Sequence, residues 1–195
     1  PRTGINDYTF NVTTPEEISS IAAKARQCSE KWQKMSHSAR TDVMKSFQAA
    51  LSDKESEITD ALIIDTGRRC ISIMEVSGVI QSIDRWINIA DCHQEDNLRA
   101  GNKTALPSVT YGSQLCPYNL VGIISPWNFP CTLAMIDAIP ALLAGCAVII
   151  KPSEVTPRFI EPLVEAIQSI PILCDVLHFI PGDGETGNAL ISHID

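Results

Sequence analysis

The sequence has no cluster of lysine and arginine, and its net charge is −8. An acidic chain repels phosphate backbones and anionic lipid surfaces, which excludes nucleic acid and membrane as expected partners. No two of its seven cysteines form a CxxC pair. Their number is odd, and they are scattered at 28, 70, 92, 116, 131, 146 and 174. A disulfide framework or a zinc site needs closer pairing, so no metal is expected. Reduced thiols in a cytoplasmic protein fit better. The first residues, PRTGINDYTF, lack the apolar core of a signal peptide. Internal repeats and low-complexity tracts are also missing. Charged residues make up only 19% and apolar residues 45%, which points to a globular chain, large enough for one good-sized domain or two small ones. One run imitates a membrane span: residues 131–150, CTLAMIDAIPALLAGCAVII. Asp137, Pro140 and Gly145 interrupt it, and its last third turns β-branched. A buried helix followed by a buried strand accounts for it.

What is present falls into two textures. Residues 14–92 read as helices. TPEE at 14–17 is a capping box with proline at the first helical position, and Ile18, Ile21, Ala22 and Ala25 recur at helical spacing. A helix over 38–51 carries Val43, Phe47 and Leu51 on one face. SDKE at 52–55 reads as a second capping box, followed by Ile58, Ala61 and Leu62, with Gly67 as a C-terminal stop. A longer helix is expected over 70–91, with Met74, Ile80, Ile83, Trp86 and Ile87 as its apolar stripe. Residues 93–103 read as a polar loop.

From 105 onward the texture changes. Residues 106–112 and 114–121 look extended, and 121–124 is a short apolar strand. A helix follows at about 131–144, then a strand over 147–150, then the loop KPSEVT. A helix is expected to start at Thr156-Pro157, an N-cap followed by proline. A strand over 176–180 leads into PGDGETG and a last helix. Strand and helix alternating in this way specify a parallel, doubly wound sheet.

Ligands of such sheets sit at the carboxyl ends of the strands. Three strand ends are therefore candidates: SPWNFP, KPSE and PGDGETG. The last holds Gly182, Gly184 and Gly187 in the spacing of a dinucleotide fingerprint. Asp183 and Glu185 lie inside it and would oppose a pyrophosphate, so a plain glycine turn stays open as the alternative. In KPSE, Lys151 can donate and Glu154 can accept two hydroxyl hydrogen bonds, as from a ribose; a solvated loop is the alternative. In SPWNFP, prolines fix the backbone around Trp127 and Asn128. A rigidly held amide donor is what an oxyanion site needs, although asparagine in a loop is commonly a turn former.

Taken together, GIISPWNFP (122–130), AVIIKPSEVTP (147–157) and FIPGDGETG (179–187) resemble the NAD(P)-dependent aldehyde dehydrogenase superfamily in order, spacing and wording. The resemblance is sharp over 116–195, looser over 14–92, and corresponds to the N-terminal portion of such enzymes. It implies an α/β fold: a helical N-terminal segment followed by an open, mainly parallel Rossmann-like sheet, incomplete at the C-terminus. It further implies a helical part of the cofactor-binding domain over 1–104, extended oligomerisation-type strands over 105–121, and the first part of the NAD-binding fold over 122–195.

By the same resemblance, Asn128 matches the amide that stabilises the oxyanion of a thiohemiacetal. Ile124, Ser125, Pro126 and Trp127 match the strand end beside the nicotinamide-side phosphates and ribose. Lys151 and Glu154 match the pair that grips the adenosine ribose, and Gly184 and Gly187 match a turn at the adenine side. That turn does not cradle pyrophosphate, which accommodates the two acidic residues. A glutamate at 154 favours a free 2′-hydroxyl over a 2′-phosphate, so NAD is expected over NADP. The implied chemistry is attack of a cysteine thiolate on an aldehyde, hydride transfer to NAD, and release of the acid by water that a glutamate activates. The family's nucleophile and base match nothing within 1–195. Cys131, the cysteine nearest Asn128 in sequence, reads as core. These residues alone are therefore expected to be inactive, as part of an enzyme that forms a dimer or tetramer. A truncated, non-catalytic nucleotide-binding or interaction module is the competing reading. A reductase of acyl-phosphates or acyl-thioesters is a third.

Overall fold

Helix α1, Pro15–Lys34, begins where the TPEE pattern requires: Thr14 accepts from the Glu17 N–H, and Glu17 reaches back to the Thr14 N–H at 2.8 Å. The computed structural model describes residues 5–97, 102, 103, 105, 106, 108–112 and 115–194. Helix α2 follows at His37–Asp53, α3 at Glu55–Thr66 and α4 at Arg69–Asn97. Gly67 ends α3 in the left-handed region at φ 70°, the conformation for which glycine is favoured.

The second capping box does not form. The Ser52 hydroxyl donates back to the Gln48 carbonyl at 3.0 Å, so α2 runs on through Asp53. Lys54 then serves both helices as a shared cap without a side-chain bond, its ammonium pairing with Glu57 and Glu165 instead. Helix α4 also extends into the expected polar loop. Polarity at 93–97 argues against burial, but Gln and Glu are good helix formers. The buried face of α4 is Ser72, Glu75, Val76, Val79, Ile83 and Ile87, and Met74 is 68% exposed. The expected stripe thus started on the wrong side of the helix.

Strands β1, Asn102–Lys103, and β2, Thr110–Tyr111, form a two-residue antiparallel pair. The remaining described residues of 105–119 are not strand, so the extended segments expected there are mostly irregular. Then come β3 (Leu120–Ile124), α5 (Pro130–Ala144), β4 (Ala147–Lys151), α6 (Ile160–Gln168), α7 (Pro171–Cys174), β5 (Leu177–Phe179) and α8 (Gly184–Ile191). The three strands β3, β4 and β5 are parallel and lie in that order. Two successive crossovers in one direction put α5 and α6 on one face. Helices α2, α3 and α4 back those two, and α1 and α8 pack against each other and against β3 and β4. Every residue of β4 is buried, as a central strand covered on both faces should be.

Helix α6 starts at Ile160, not at Thr156-Pro157. The Arg158 N–H, which would be one of the free donors of that helix, is taken by Asp65 at 2.9 Å, and the Arg158 guanidinium pairs with the same carboxylate. Residues 157–160 form a turn closed by the Ile160 N–H on the Pro157 carbonyl. The C-terminal end of α5 is tied by two long-range bonds. Trp32 Nε1 donates to the Leu142 carbonyl at 2.9 Å, and Arg40 Nε to the Leu143 carbonyl at 3.1 Å. Both side chains are buried, so α1 and α2 grip the helix that carries the SPWNFP loop.

Candidate active site

The parallel register sets the site. Ile124, the last residue of β3, lies beside Lys151, the last of β4. One further bond, from the Ser125 N–H to the Lys151 carbonyl at 3.0 Å, continues the ladder past the strand end. Helix α8 then brings Gly187 against both. A Cβ on Gly187 would lie 3.6 Å from Ile124 Cδ1 and 4.0 Å from Lys151 Cδ. Three motifs separate in sequence therefore meet at one place, the carboxyl ends of the strands.

The groups lining it suit an uncharged polar ligand part flanked by charge. Lys151 is 5% exposed, and its ammonium bonds Glu154 at 2.8 Å. That hydrogen bond, with help from the Glu154 backbone, holds the Glu154 carboxyl below the usual carboxylate range. The Ser125 hydroxyl is buried and has no partner among the described residues. A buried hydroxyl left unpaired costs free energy unless a ligand or water completes it. Ile124 and Trp127 are 53% and 57% exposed, and Pro126 is exposed too.

The α8 turn behaves differently from a dinucleotide fingerprint. Asp183 caps the helix, accepting from Glu185 N–H at 2.9 Å and from Thr186 N–H at 3.5 Å. The donors that would receive a pyrophosphate are thus already engaged by a carboxylate. The glycine that close packing demands is Gly182, where a Cβ would meet the Thr186 side chain at 2.0 Å. Gly184 has open space around it.

Asn128 belongs to a second cluster. Its side chain is exposed, and its amide has no hydrogen-bond partner among the described residues. Its backbone carbonyl accepts from Arg68, whose guanidinium also stands 5.2 Å over the Phe129 ring. Glu75 of α4 accepts from the Cys131 and Thr132 N–H groups at 2.8 and 2.9 Å. Burial raises the Glu75 carboxyl above its ordinary range, and the two N–H bonds oppose that shift. Cys131 is buried, as the sequence reading expects, and burial pushes its thiol far above the ordinary value. A thiol so held is no thiolate near neutral pH. None of the seven cysteines forms a disulfide, and the described residues contain no metal-type cluster.

The sequence profile of the aldehyde dehydrogenase family matches residues 1–195. The chain belongs to that family. Among curated relatives, it is 31% identical over 181 residues to N-succinylglutamate 5-semialdehyde dehydrogenase of Klebsiella pneumoniae, covering 92% of this chain and 36% of that protein. The chain thus spans about a third of the curated relatives it matches. Among solved structures, it superposes with TM-score 0.93 and 43% identity on a protein from Anabaena variabilis provisionally named aldehyde dehydrogenase PutA, covering all of this chain and 41% of that one. Lactaldehyde dehydrogenase from Escherichia coli matches in fold, with TM-score 0.84 and 22% identity over 92% of this chain and 37% of its own.

Within this aldehyde dehydrogenase segment, sequence reasoning missed Arg68, Glu75 and the Asp65–Arg158 pair. A signal for Glu75 existed. It lies four residues before Val79 and eight before Ile83, so a carboxylate stands in line with apolar residues at helical spacing. Choosing Met74 as the start of the stripe concealed it.

Proposed function

We propose that this segment is the cofactor-side part of an NAD-linked aldehyde dehydrogenase that oxidises a small aldehyde to a carboxylic acid. The observation that carries the reading is the meeting of Ile124, Lys151 and Gly187 at the strand ends, next to Ser125, whose buried hydroxyl has no partner among the described residues. Bound there, a nicotinamide dinucleotide supplies the hydride acceptor. Lys151 and Glu154 hold the adenosine ribose, Glu154 accepting from its hydroxyls while Lys151 fixes the carboxylate. Ile124, Ser125, Pro126 and Trp127 line the nicotinamide side, and Gly184 and Gly187 leave room for the adenine. The free Asn128 amide donates to the oxygen that becomes negative when a thiolate attacks the aldehyde. An amide fixed by its own backbone needs little reorganisation at that moment.

The thiolate comes from outside these 195 residues. Cys131, the cysteine nearest Asn128 in sequence, is buried, and its thiol is pushed far above the ordinary value. Residues 1–195 by themselves are accordingly inactive. We take 1–104 and 122–195 as parts of the cofactor domain and 105–121 as an oligomer contact in a cytoplasmic dimer or tetramer. NAD is preferred over NADP because Glu154 repels a 2′-phosphate. Relatives are not uniform here: one Mycobacterium ulcerans protein is named for NADP, and a 3,6-anhydro-L-galactose dehydrogenase is solved with NADP.

In an active enzyme containing these residues, Asn128→Ala should lower kcat by about 10²–10³-fold with cofactor affinity little changed. An unchanged kcat removes Asn128 from this role. Calorimetry of the 195-residue chain with NAD separates the readings: weak binding is expected of half a site, and tight binding favours a self-sufficient nucleotide-binding module.

A further inference from the structure

Helix α5 begins without a local cap: its N-cap residue is Phe129, which offers no side-chain acceptor. Helix N-termini leave N–H groups that need partners, and Ser, Thr, Asp or Asn at the N-cap is the usual remedy. Here the partner comes from another helix. Glu75 Oε1 accepts both the Cys131 and Thr132 N–H groups. The second oxygen, Oε2, is buried with no partner among the described residues. Glu75 is 5% exposed, and a buried carboxylate is costly unless hydrogen bonds and a helix N-terminus compensate it.

The arrangement leaves position 129 free for an aromatic ring. Arg68 lies over that ring and donates to the Asn128 carbonyl. Residues 128 and 129 are thereby held from the start of α4, and 131 and 132 from its second turn. Asn128 is anchored to α4 at its own carbonyl and through the four residues that follow it, while its own amide stays exposed. A transition-state donor needs placement of this kind to within a few tenths of an ångström.

We propose that Glu75 is a positioning residue for Asn128: its carboxylate fixes the N-terminus of α5 and, with Arg68 on the Asn128 carbonyl, sets where the amide stands. This rests on Asn128 being the oxyanion donor. Glu75 touches neither aldehyde nor cofactor and acts through the backbone.

Two measurements test it. In the 195-residue chain, hydrogen exchange of the Cys131 and Thr132 amides should quicken by about tenfold or more in Glu75→Ala. Glu75→Gln keeps a carbonyl at the Oε1 position and should retain most of the protection. In an active enzyme containing these residues, Glu75→Ala should lower kcat by about tenfold, with the KM for NAD within about twofold. Glu75→Gln should recover most of that loss. Placed in an Asn128→Ala enzyme, Glu75→Ala should change kcat by less than about twofold, because the group it positions is already gone. Fully additive losses would mean that Glu75 acts elsewhere and would overturn the proposal. Unchanged exchange in Glu75→Ala overturns it as well, whatever Asn128 does. If Asn128→Ala alone leaves kcat intact, the proposed function fails, and the positioning role fails with it.

Discussion

The ends of β3 and β4 lie side by side yet are built in opposite ways. Strand β4 is buried at every position and delivers Lys151, a charged residue, into a site where only 5% of it is exposed. Strand β3 ends in Ile124, half exposed, and continues into an exposed loop whose order comes from prolines, Arg68 and Glu75. At β4 the strand itself positions the ammonium group. At β3 the group is positioned by a separate helix packed on the next one. A charge gripped by the core and an amide presented from a braced loop are two solutions to holding a polar group still. The first resists movement through burial, and the second leaves the amide exposed.

That contrast can be tested at its strongest point by truncating one apolar residue in each strand. Ile149→Ala in β4 should cost about 2–5 kcal/mol in urea denaturation, because the cavity opens in the middle of a sheet covered on both faces. Ile124→Ala, at an exposed strand end, should cost under about 0.5 kcal/mol. Equal losses would mean that the two ends are not distinguished by burial. The α8 turn provides a smaller version of the same comparison. Gly182→Ala drives a Cβ into the side chain of Thr186 and should cost about 1–3 kcal/mol. Gly184→Ala, in open space at a helix start, should be neutral or stabilising by up to about 1 kcal/mol. A reversal of that order would sink the packing account of PGDGETG.

The smallest effect concerns Glu154. Its carboxyl is depressed by Lys151, so the stability it contributes is present above the ordinary carboxylate pKa and is lost as pH falls through its own lowered value. With its side chain 46% exposed, solvent screening limits that contribution to under about 0.5 kcal/mol. Acid titration of wild-type and Glu154→Gln chains should therefore differ only slightly and only on the acid side. In an active enzyme, the same substitution should narrow the preference for NAD over NADP. An unchanged ratio would argue against ribose recognition by Glu154.

Much of the fold was legible because its signals are local. The TPEE box, the stop at Gly67 and the β-branched run into Lys151 each specify an element by short-range chemistry, and each formed where expected. The failures share a cause. Ser52 had two acceptable partners and took the one inside its own helix. Thr156-Pro157 had the composition of a helix start, but residues 157–160 close as a turn, with Arg158 bound to the distant Asp65, and α6 starts at Ile160. For the site, the motif wording pointed to Asn128, Lys151, Glu154 and Gly187, and the fold brings the last three together with Ile124 at the strand ends. Arg68 and Glu75 carry no motif, because their importance lies in what docks against them.

The sequence by itself determined the family, the alternation of strand and helix, and the three motifs at the strand ends. These follow from residue type and spacing along one chain. Tertiary structure alone decided which face of α4 is buried, that a glutamate on that face caps another helix, and that Gly182 is the glycine without room for a side chain. The physical reason is the same throughout. A backbone N–H or a buried carboxylate must find a partner, and where that partner stands depends on how helices pack.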